Sequence, residues 1–179
     1  MEVKKVDKVT VLRFRRREFT PERKPSAKRF FREVKARVFP CKGETITADE
    51  LEKLILSTFG SDYEYHILIS DEWFRVISKD KMEKLLKDDD TDKLPYQSTI
   101  SDCDDFSDVL LGCLTKKTWN QGFALGQLWY INEAKNFGHA VNLFVDEQPK
   151  IWVVEPQNDG IYEWGKDDFY SGKAYMVKF

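Results

Sequence analysis

Apolar residues recur along the chain at two spacings, which predict amphipathic helices in some segments and strands in others. The i, i+3, i+4, i+7, i+8 spacing of an amphipathic helix is followed by Phe106, Val109, Leu110, Cys113 and Leu114. Ser101 or Asp102 is a suitable N-cap for this helix. We therefore expect Cys103 to lie in the first helical turn.

Three further segments are predicted to be helical. Thr47 and Glu50 have the spacing of a capping box, and they precede an apolar run that Gly60 ends. The apolar spacing of residues 79–87 predicts a short amphipathic helix. Residues 26–38 predict a basic helix, which Pro40 ends.

Alternating or continuous runs of β-forming residues predict the strands. These runs occupy residues 9–14, 63–70 with a continuation at 73–77, 122–131, 137–145 and 151–155. Tyr162, Trp164 and residues 174–179 predict one more strand. The turn at residues 146–149 predicts an antiparallel hairpin. Helices that precede a group of strands indicate an α+β fold.

Charged residues are distributed unevenly along the chain, although the formal net charge of the chain is only −2. Residues 1–42 contain 15 Lys and Arg against 5 Asp and Glu, whereas residues 43–179 contain 14 against 26. We interpret residues 1–42 as a basic N-terminal extension and residues 43–179 as one folded domain. The extension either binds an anionic partner or packs on the acidic body of the same chain.

The cysteine count and the hydropathy pattern narrow the class of protein. Cys41, Cys103 and Cys113 are an odd number without zinc-site spacing, so at least one free thiol is expected. No apolar run approaches the length of a membrane span, and the N-terminus lacks the apolar segment of a signal peptide. We therefore expect a soluble, intracellular protein, or one that is exported by a route without such a peptide.

Cys103, His139 and Glu155 form a candidate constellation. A nucleophilic thiol needs a base, and the base needs an acceptor that fixes its tautomer. The hairpin that turns near residues 146–149 places His139 and Glu155 at the same end of adjacent strands. The helix start stabilises a thiolate at Cys103, while the neighbouring aspartates oppose it, and a bound cation would remove this conflict.

Three sequence elements carry a family resemblance: residues 102–107, residues 138–140 and residues 152–156. Together they resemble the papain-like and transglutaminase-like cysteine peptidase superfamily. The most similar types are the calcium-dependent catalytic C-terminal domain of a mushroom agglutinin and the bacterial transglutaminase-like cysteine proteinases. The resemblance covers about residues 95–165. It implies a papain-like α+β fold with a catalytic Cys at a helix N-terminus that packs on an antiparallel β-sheet.

The resemblance also implies roles for individual residues. Cys103 would attack a carbonyl group of a peptide or protein substrate, His139 would act as base and then acid, and Glu155 would orient His139. Gln97, six residues before Cys103, has the spacing of an oxyanion-stabilising glutamine. Ca²⁺, or Mn²⁺, would be bound by Asp102, Asp104, Asp105 and Gln157.

The sequence therefore predicts a thiol hydrolase of the cysteine peptidase type that uses a Cys103-His139-Glu155 triad. Two alternatives remain at this point. One is an amidase or acyl transferase with the same triad, and the other is a non-catalytic binding protein with a basic arm for an anionic partner. No lectin-like repeat is present in the sequence, so sugar binding is not implied.

Overall fold

A computed structural model describes residues 2–13 and 45–179 of the chain. The described helices are α1 (Ala48–Phe59), α2 (Lys79–Lys87) and α3 (Cys103–Lys117), with a 3-10 turn at Thr91–Lys93. The described strands are β1 (Glu2–Val6), β2 (Val9–Arg13), β3 (Thr45–Thr47), β4 (His66–Ile69), β5 (Trp73–Arg75), β6 (Leu125–Asn132), β7 (Phe137–Val145), β8 (Ile151–Glu155), β9 (Gly160–Glu163) and β10 (Lys173–Lys178).

One eight-stranded sheet dominates the described part of the chain. Its strand order is β1-β2-β4-β10-β6-β7-β8-β9, while β3 and β5 form a separate pair. The hairpins β6–β7, β7–β8 and β8–β9 are antiparallel, but β4 pairs in parallel with both β2 and β10. The C-terminal strand therefore lies in the middle of the sheet, between two strands that are distant from it in sequence.

The helix α1 begins and ends where its sequence predicts. The Thr47 side chain accepts a hydrogen bond from the backbone N–H of Glu50, and the Glu50 carboxylate accepts one from the backbone N–H of Thr47. This reciprocal capping satisfies donors that the first helical turn leaves unpaired. Gly60 follows the helix with a φ of 86°, which favours glycine. The prediction of this helix is confirmed.

Helices cover both faces of the sheet, because the central strands are apolar on both sides. Val141, Leu143 and Val145 pack in the core that contains the buried face of α1. Phe144, between them in sequence, packs in the core that contains Leu110 of α3 and residues of α2. The alternation of side chains along β7 therefore supplies both cores, and it fixes α3 against one face of the sheet.

The predicted fold class requires correction. A large sheet, rather than a group of helices followed by a sheet, organises the described chain, and the sheet is mixed rather than antiparallel. An α+β papain-like fold is therefore not what the structure supports. The difference arises because the parallel pairs of β4 join segments far apart in sequence, and local residue patterns carry no information about such pairs.

The N-terminal extension is described only in part. Residues 2–13 form β1 and β2 of the main sheet, whereas the predicted basic helix at residues 26–38 lies outside the described residues. The boundary between residues 42 and 43 stays a prediction. Among the described residues, no helix combines the length and the apolar character needed to cross a membrane.

Candidate functional site

The start of α3 meets β7 and β8 at one edge of the sheet. Cys103, the first residue of α3, lies close enough to the His139 ring to help raise the pKa of that ring. The Nε2 atom of the same ring lies 2.7 Å from Oε2 of Glu155. The structure thus brings together three predicted site residues that are distant in sequence, although it does not test the roles predicted for them.

The β7–β8 hairpin accounts for the meeting of His139 and Glu155. Asn142 pairs with Val154, and the register continues to the turn through Val145 and Ile151. His139 of β7 and Glu155 of β8 lie on the other side of the Asn142–Val154 pair, at the end of the hairpin away from the turn. Antiparallel neighbours at this end are within reach of each other's side chains, so hairpin register alone places the imidazole beside the carboxylate.

The Glu155 carboxylate is buried, and each of its oxygens accepts a hydrogen bond. Oε2 accepts from His139 and, at 3.2 Å, from the hydroxyl of Tyr170. Oε1 accepts from the backbone N–H of Gln157 at 3.2 Å. A buried carboxylate is tolerated when it is both paired and hydrogen-bonded. The carboxylate is thereby held in one orientation toward the imidazole.

The charge state of His139 follows from these neighbours. Burial disfavours the imidazolium, but the hydrogen bonds to Cys103 and Glu155 and the charges of these groups outweigh that effect and raise the pKa of His139 to about 9. At neutral pH the site therefore contains an imidazolium held between a sulfur and a carboxylate.

Aromatic rings surround the imidazole on its other sides. The rings of Tyr130, Phe137 and Phe169 each contact it edge to face, with centroid distances of 5.9, 6.3 and 5.5 Å. Phe137 and Phe169 are also stacked on each other at 4.7 Å. The Tyr130 hydroxyl donates to the backbone carbonyl of Phe169 at 3.0 Å. These contacts fix both the ring of Phe169 and the backbone that carries it.

A groove of about 420 Å³ opens beside the imidazole. Its walls combine aromatic rings with amide and carboxyl groups. The lining residues are His139, Glu155, Gln157, Asn158, Tyr162, Asp167, Phe169 and Tyr170.

The predicted cation ligands are divided between two places. Ligand atoms of Asp102, Cys103 and Asp104 lie within 4.8 Å of one another. The Asp105 carboxylate instead accepts from the backbone N–H of Asp102 at 3.2 Å, which caps α3. Gln157 lines the groove beside Glu155. The structure therefore groups only Asp102 and Asp104, of the four predicted ligands, in the cluster at the helix start.

The two grouped carboxyls interact directly. The hydrogen bond between them lowers the pKa of Asp102 and raises the pKa of Asp104. Two carboxyl groups that share a proton can exchange that proton for a cation, because the proton and the cation each relieve the repulsion between the two carboxylates. Their oxygens suit a hard cation such as Ca²⁺, and the chemistry of this pair is thus compatible with the predicted metal.

Gln97 lies in the turn that leads into α3. Its backbone carbonyl accepts from the N–H of Ser101 at 2.8 Å, and its N–H donates to the carbonyl of Ser101 at 3.0 Å. The residue is exposed. The structure therefore places Gln97 near the helix start through its backbone, and the role predicted for its side chain stays a prediction.

Several residues of the site were not found by sequence reasoning. Tyr162, Phe169 and Tyr170 line the groove from β9 and from the segment before β10. The stretch Asn158-Asp159-Gly160 is a turn signal that indicates the β8–β9 hairpin and hence Tyr162. No periodic pattern marks Phe169 or Tyr170, because residues between β9 and β10 follow no regular element.

Comparisons with known proteins identify similar folds. No protein-family model matches the chain, and the search of curated proteins found no match. A PSL1a–E64 complex is similar in structure, with a TM-score of 0.63, 24% sequence identity and coverage of 75% of this chain and 50% of that chain. Polyporus squamosus lectin bound to the human-type influenza-binding epitope Neu5Acα2-6Galβ1-4GlcNAc is also similar, with a TM-score of 0.62, 24% identity and coverage of 75% and 49%.

These comparisons correct the predicted family. The similar structures are complexes of a lectin, and neither is described as a peptidase. The assignment to the papain-like and transglutaminase-like superfamily, and with it the prediction of a thiol hydrolase, is not supported by these comparisons. At this identity the likeness establishes the fold, and the chain spans about half the length of the lectin chains.

Proposed function

We propose that this domain is a non-catalytic glycan-binding protein, and that the sugar occupies the groove beside His139. The observation that carries the proposal is the composition of the groove, in which the ring of Phe169 stays 37% exposed next to amide and carboxyl groups. The lectin that shares the fold, which was solved with a bound glycan epitope, supports the same class of ligand. A peptide substrate has no such support.

The chemistry of the groove suits a sugar because a sugar ring has two kinds of surface. Its C–H groups form an apolar face that packs on an aromatic ring, and its hydroxyls need donors and acceptors at fixed positions. Phe169 offers the ring, while Gln157 and Asn158 offer amides that both donate and accept. Tyr162 is held in place by stacking on Tyr170 at 4.1 Å.

The groove is also rigid before a ligand binds. Stacking on Phe137 and the hydrogen bond from Tyr130 hold Phe169, and Glu155 holds His139. A site whose side chains are already ordered loses less conformational entropy on binding. This arrangement favours recognition of a ligand as weakly apolar as a sugar.

Replacement of Phe169 by alanine tests the proposal. We expect the variant to bind glycans about five- to tenfold more weakly, because a ring contact with a ligand contributes on the order of 1 kcal/mol. Affinity is measured by calorimetry with Galβ1-4GlcNAc and with Neu5Acα2-6Galβ1-4GlcNAc, the epitope bound by the similar lectin. Tyr175→Ala, which removes a 61% exposed ring of β10, is the matched control and should leave affinity unchanged.

Two results would count against this function. Absence of binding to every member of a broad glycan array would remove its basis. Hydrolysis of a peptide by the natural sequence, abolished in Cys103→Ala, would instead give the Cys103–His139 pair a catalytic role and contradict a purely binding function.

We also propose that Asp102 and Asp104, two of the four ligands that the sequence predicts, bind Ca²⁺. Millimolar Ca²⁺ is expected to raise the melting temperature by a few degrees over the value in EDTA, because a ligand at about 100 times its Kd stabilises by about 2.7 kcal/mol. Asp104→Asn should lose the shift, whereas Asp80→Asn, an exposed carboxyl of α2, should keep it. An equal shift in both variants, measured by scanning calorimetry, would exclude this pair as the ligands.

The basic extension remains a separate proposal. Most of its positive charge lies in residues 14–44, which are outside the described residues. An anionic partner for it is therefore proposed from the sequence alone, and salt-dependent binding to heparin by the full chain is the corresponding measurement.

A further inference from the structure

Three polar residues are buried between α3 and the sheet. Ser107 and Gln127 have no exposed surface, and Asn142 is 2% exposed. Gln127 of β6 and Asn142 of β7 lie directly opposite each other in the strand register. The same face of the sheet is otherwise packed by apolar residues such as Phe144 and Leu110. These three residues form a small polar cluster within an apolar layer.

Both amides of the polar cluster bind the same turn of α3. Nδ2 of Asn142 donates to the backbone carbonyl of Ser107 at 2.9 Å. Nε2 of Gln127 donates to Oγ of Ser107 at 3.2 Å and to Oδ1 of Asp108 at 2.6 Å. A backbone carbonyl and an ionised carboxylate can only accept, so the amide nitrogens must face the helix. Two neighbouring strands are thus bonded to one helical turn.

This arrangement carries an energetic cost. With the amide nitrogens facing α3, Oε1 of Gln127 and Oδ1 of Asn142 are buried without a hydrogen-bond partner in the described structure. Each buried unsatisfied acceptor costs about 1–3 kcal/mol. Apolar side chains of similar size would avoid this cost and would fill the same space. The polar cluster is therefore better explained by the geometry it imposes than by the stability it contributes.

The geometry that the polar cluster imposes concerns Cys103 and His139. Ser107 follows Cys103 by four residues, which is just over one helical turn, so both lie on the same side of α3. Asn142 follows His139 by three residues in the same strand. The hydrogen bond between Asn142 and Ser107 therefore fixes the position of the start of α3 along β7.

Apolar packing alone would define this position less sharply. Leu110 and Leu114 of α3 pack against Phe144 and Val154, and such contacts are non-directional. Hydrogen bonds are directional and weaken steeply when donor and acceptor shift. We propose that Gln127 and Asn142 are positioning residues, which hold α3 against β6 and β7 so that the Cys103 thiol meets the His139 ring. The proposal does not depend on which ligand the groove binds.

The test replaces each amide with an apolar side chain of similar size, in Asn142→Leu and Gln127→Met. Alkylation of Cys103 by iodoacetamide, in which the sulfur bonds to the methylene carbon and iodide leaves, is followed across pH by peptide mass spectrometry in EDTA. We expect folded variants to react about tenfold more slowly than the natural sequence, because the sulfur no longer lies beside the imidazole ring. The titration of His139, followed by NMR, should shift to lower pH in the same variants.

Thr118→Val is the matched control, because it removes a buried hydroxyl at the opposite end of α3. It should leave both the alkylation profile and the His139 titration unchanged. Ser107→Ala provides the same test with no added bulk if a larger substitution prevents folding. Unaltered alkylation and an unaltered His139 titration in any folded variant of Gln127, Asn142 or Ser107 would overturn the proposal.

Discussion

Glu155→Gln is expected to lower the pKa of His139 from about 9 to near its ordinary value of 6.5. The substitution keeps the size of the side chain but removes the negative charge that lies 2.7 Å from Nε2. Burial, which lowers the pKa of His139, is then opposed only by the contribution of Cys103, which raises it. The measurement is an NMR titration of the imidazole C–H signals, in which the exposed His66 provides an internal control.

The same variant should lose a pH dependence of stability. Because the pKa of His139 is raised in the folded state, its contribution is complete below the ordinary pKa of 6.5 and is lost as the pH rises through about 9. For the natural sequence we expect the free energy of unfolding to fall by roughly 3 kcal/mol across this window from His139. Urea unfolding at a series of pH values measures it.

In Glu155→Gln that decline should be largely absent, and the stability at neutral pH should be lower than in the natural sequence. A variant whose His139 still titrates near pH 9, or whose stability declines as before, would show that Glu155 does not control the imidazolium.

Gly172→Ala is expected to destabilise the domain by roughly 3 kcal/mol or more. Gly172 has a φ of 129°, a conformation that residues with a side chain rarely adopt. A Cβ atom there would lie 2.2 Å from the backbone oxygen of Ile131 in β6. Relief of this overlap would move the segment that carries Phe169 and Tyr170 away from the sheet, so glycan affinity should fall together with stability.

Gly112→Ala is the control for this substitution. Gly112 lies on the exposed side of α3, and an added Cβ meets nothing within 4 Å. Alanine is preferred over glycine inside a helix by about 1 kcal/mol, so this variant should be slightly more stable. Urea unfolding of both proteins gives the comparison, and equal stabilities of Gly172→Ala and the natural sequence would contradict the expectation.

The hairpin and the capped helix could be predicted from the sequence because both depend on residues close together in the chain. The β7 and β8 bounds follow their apolar runs, and Thr47 with Glu50 identifies the start of α1. His139 and Glu155 meet through the same local hairpin. The mixed sheet was not predicted, since β10 lies between β4 and β6 only after distant segments have paired.

The family and function inferred from short motifs did not withstand comparison. Cys103, His139 and Glu155 do lie together, but residue proximity does not specify which ligand a groove accepts or whether a reaction follows. The surrounding fold is that of lectin structures. The lining of the groove by Tyr162, Phe169 and Tyr170, on which the proposed glycan binding rests, had no counterpart in the motifs.

The sequence by itself determined where α1, β7 and β8 begin and end, where α3 begins, and which polar residues stand at the end of the hairpin. Periodicity, caps and turns are properties of neighbouring residues, so they can be read locally. Only the tertiary structure decided the order of the strands, the polar cluster beneath α3 and the aromatic wall of the groove. These features join residues that are far apart in the chain, and the contacts that fix them exist only once the sheet has assembled.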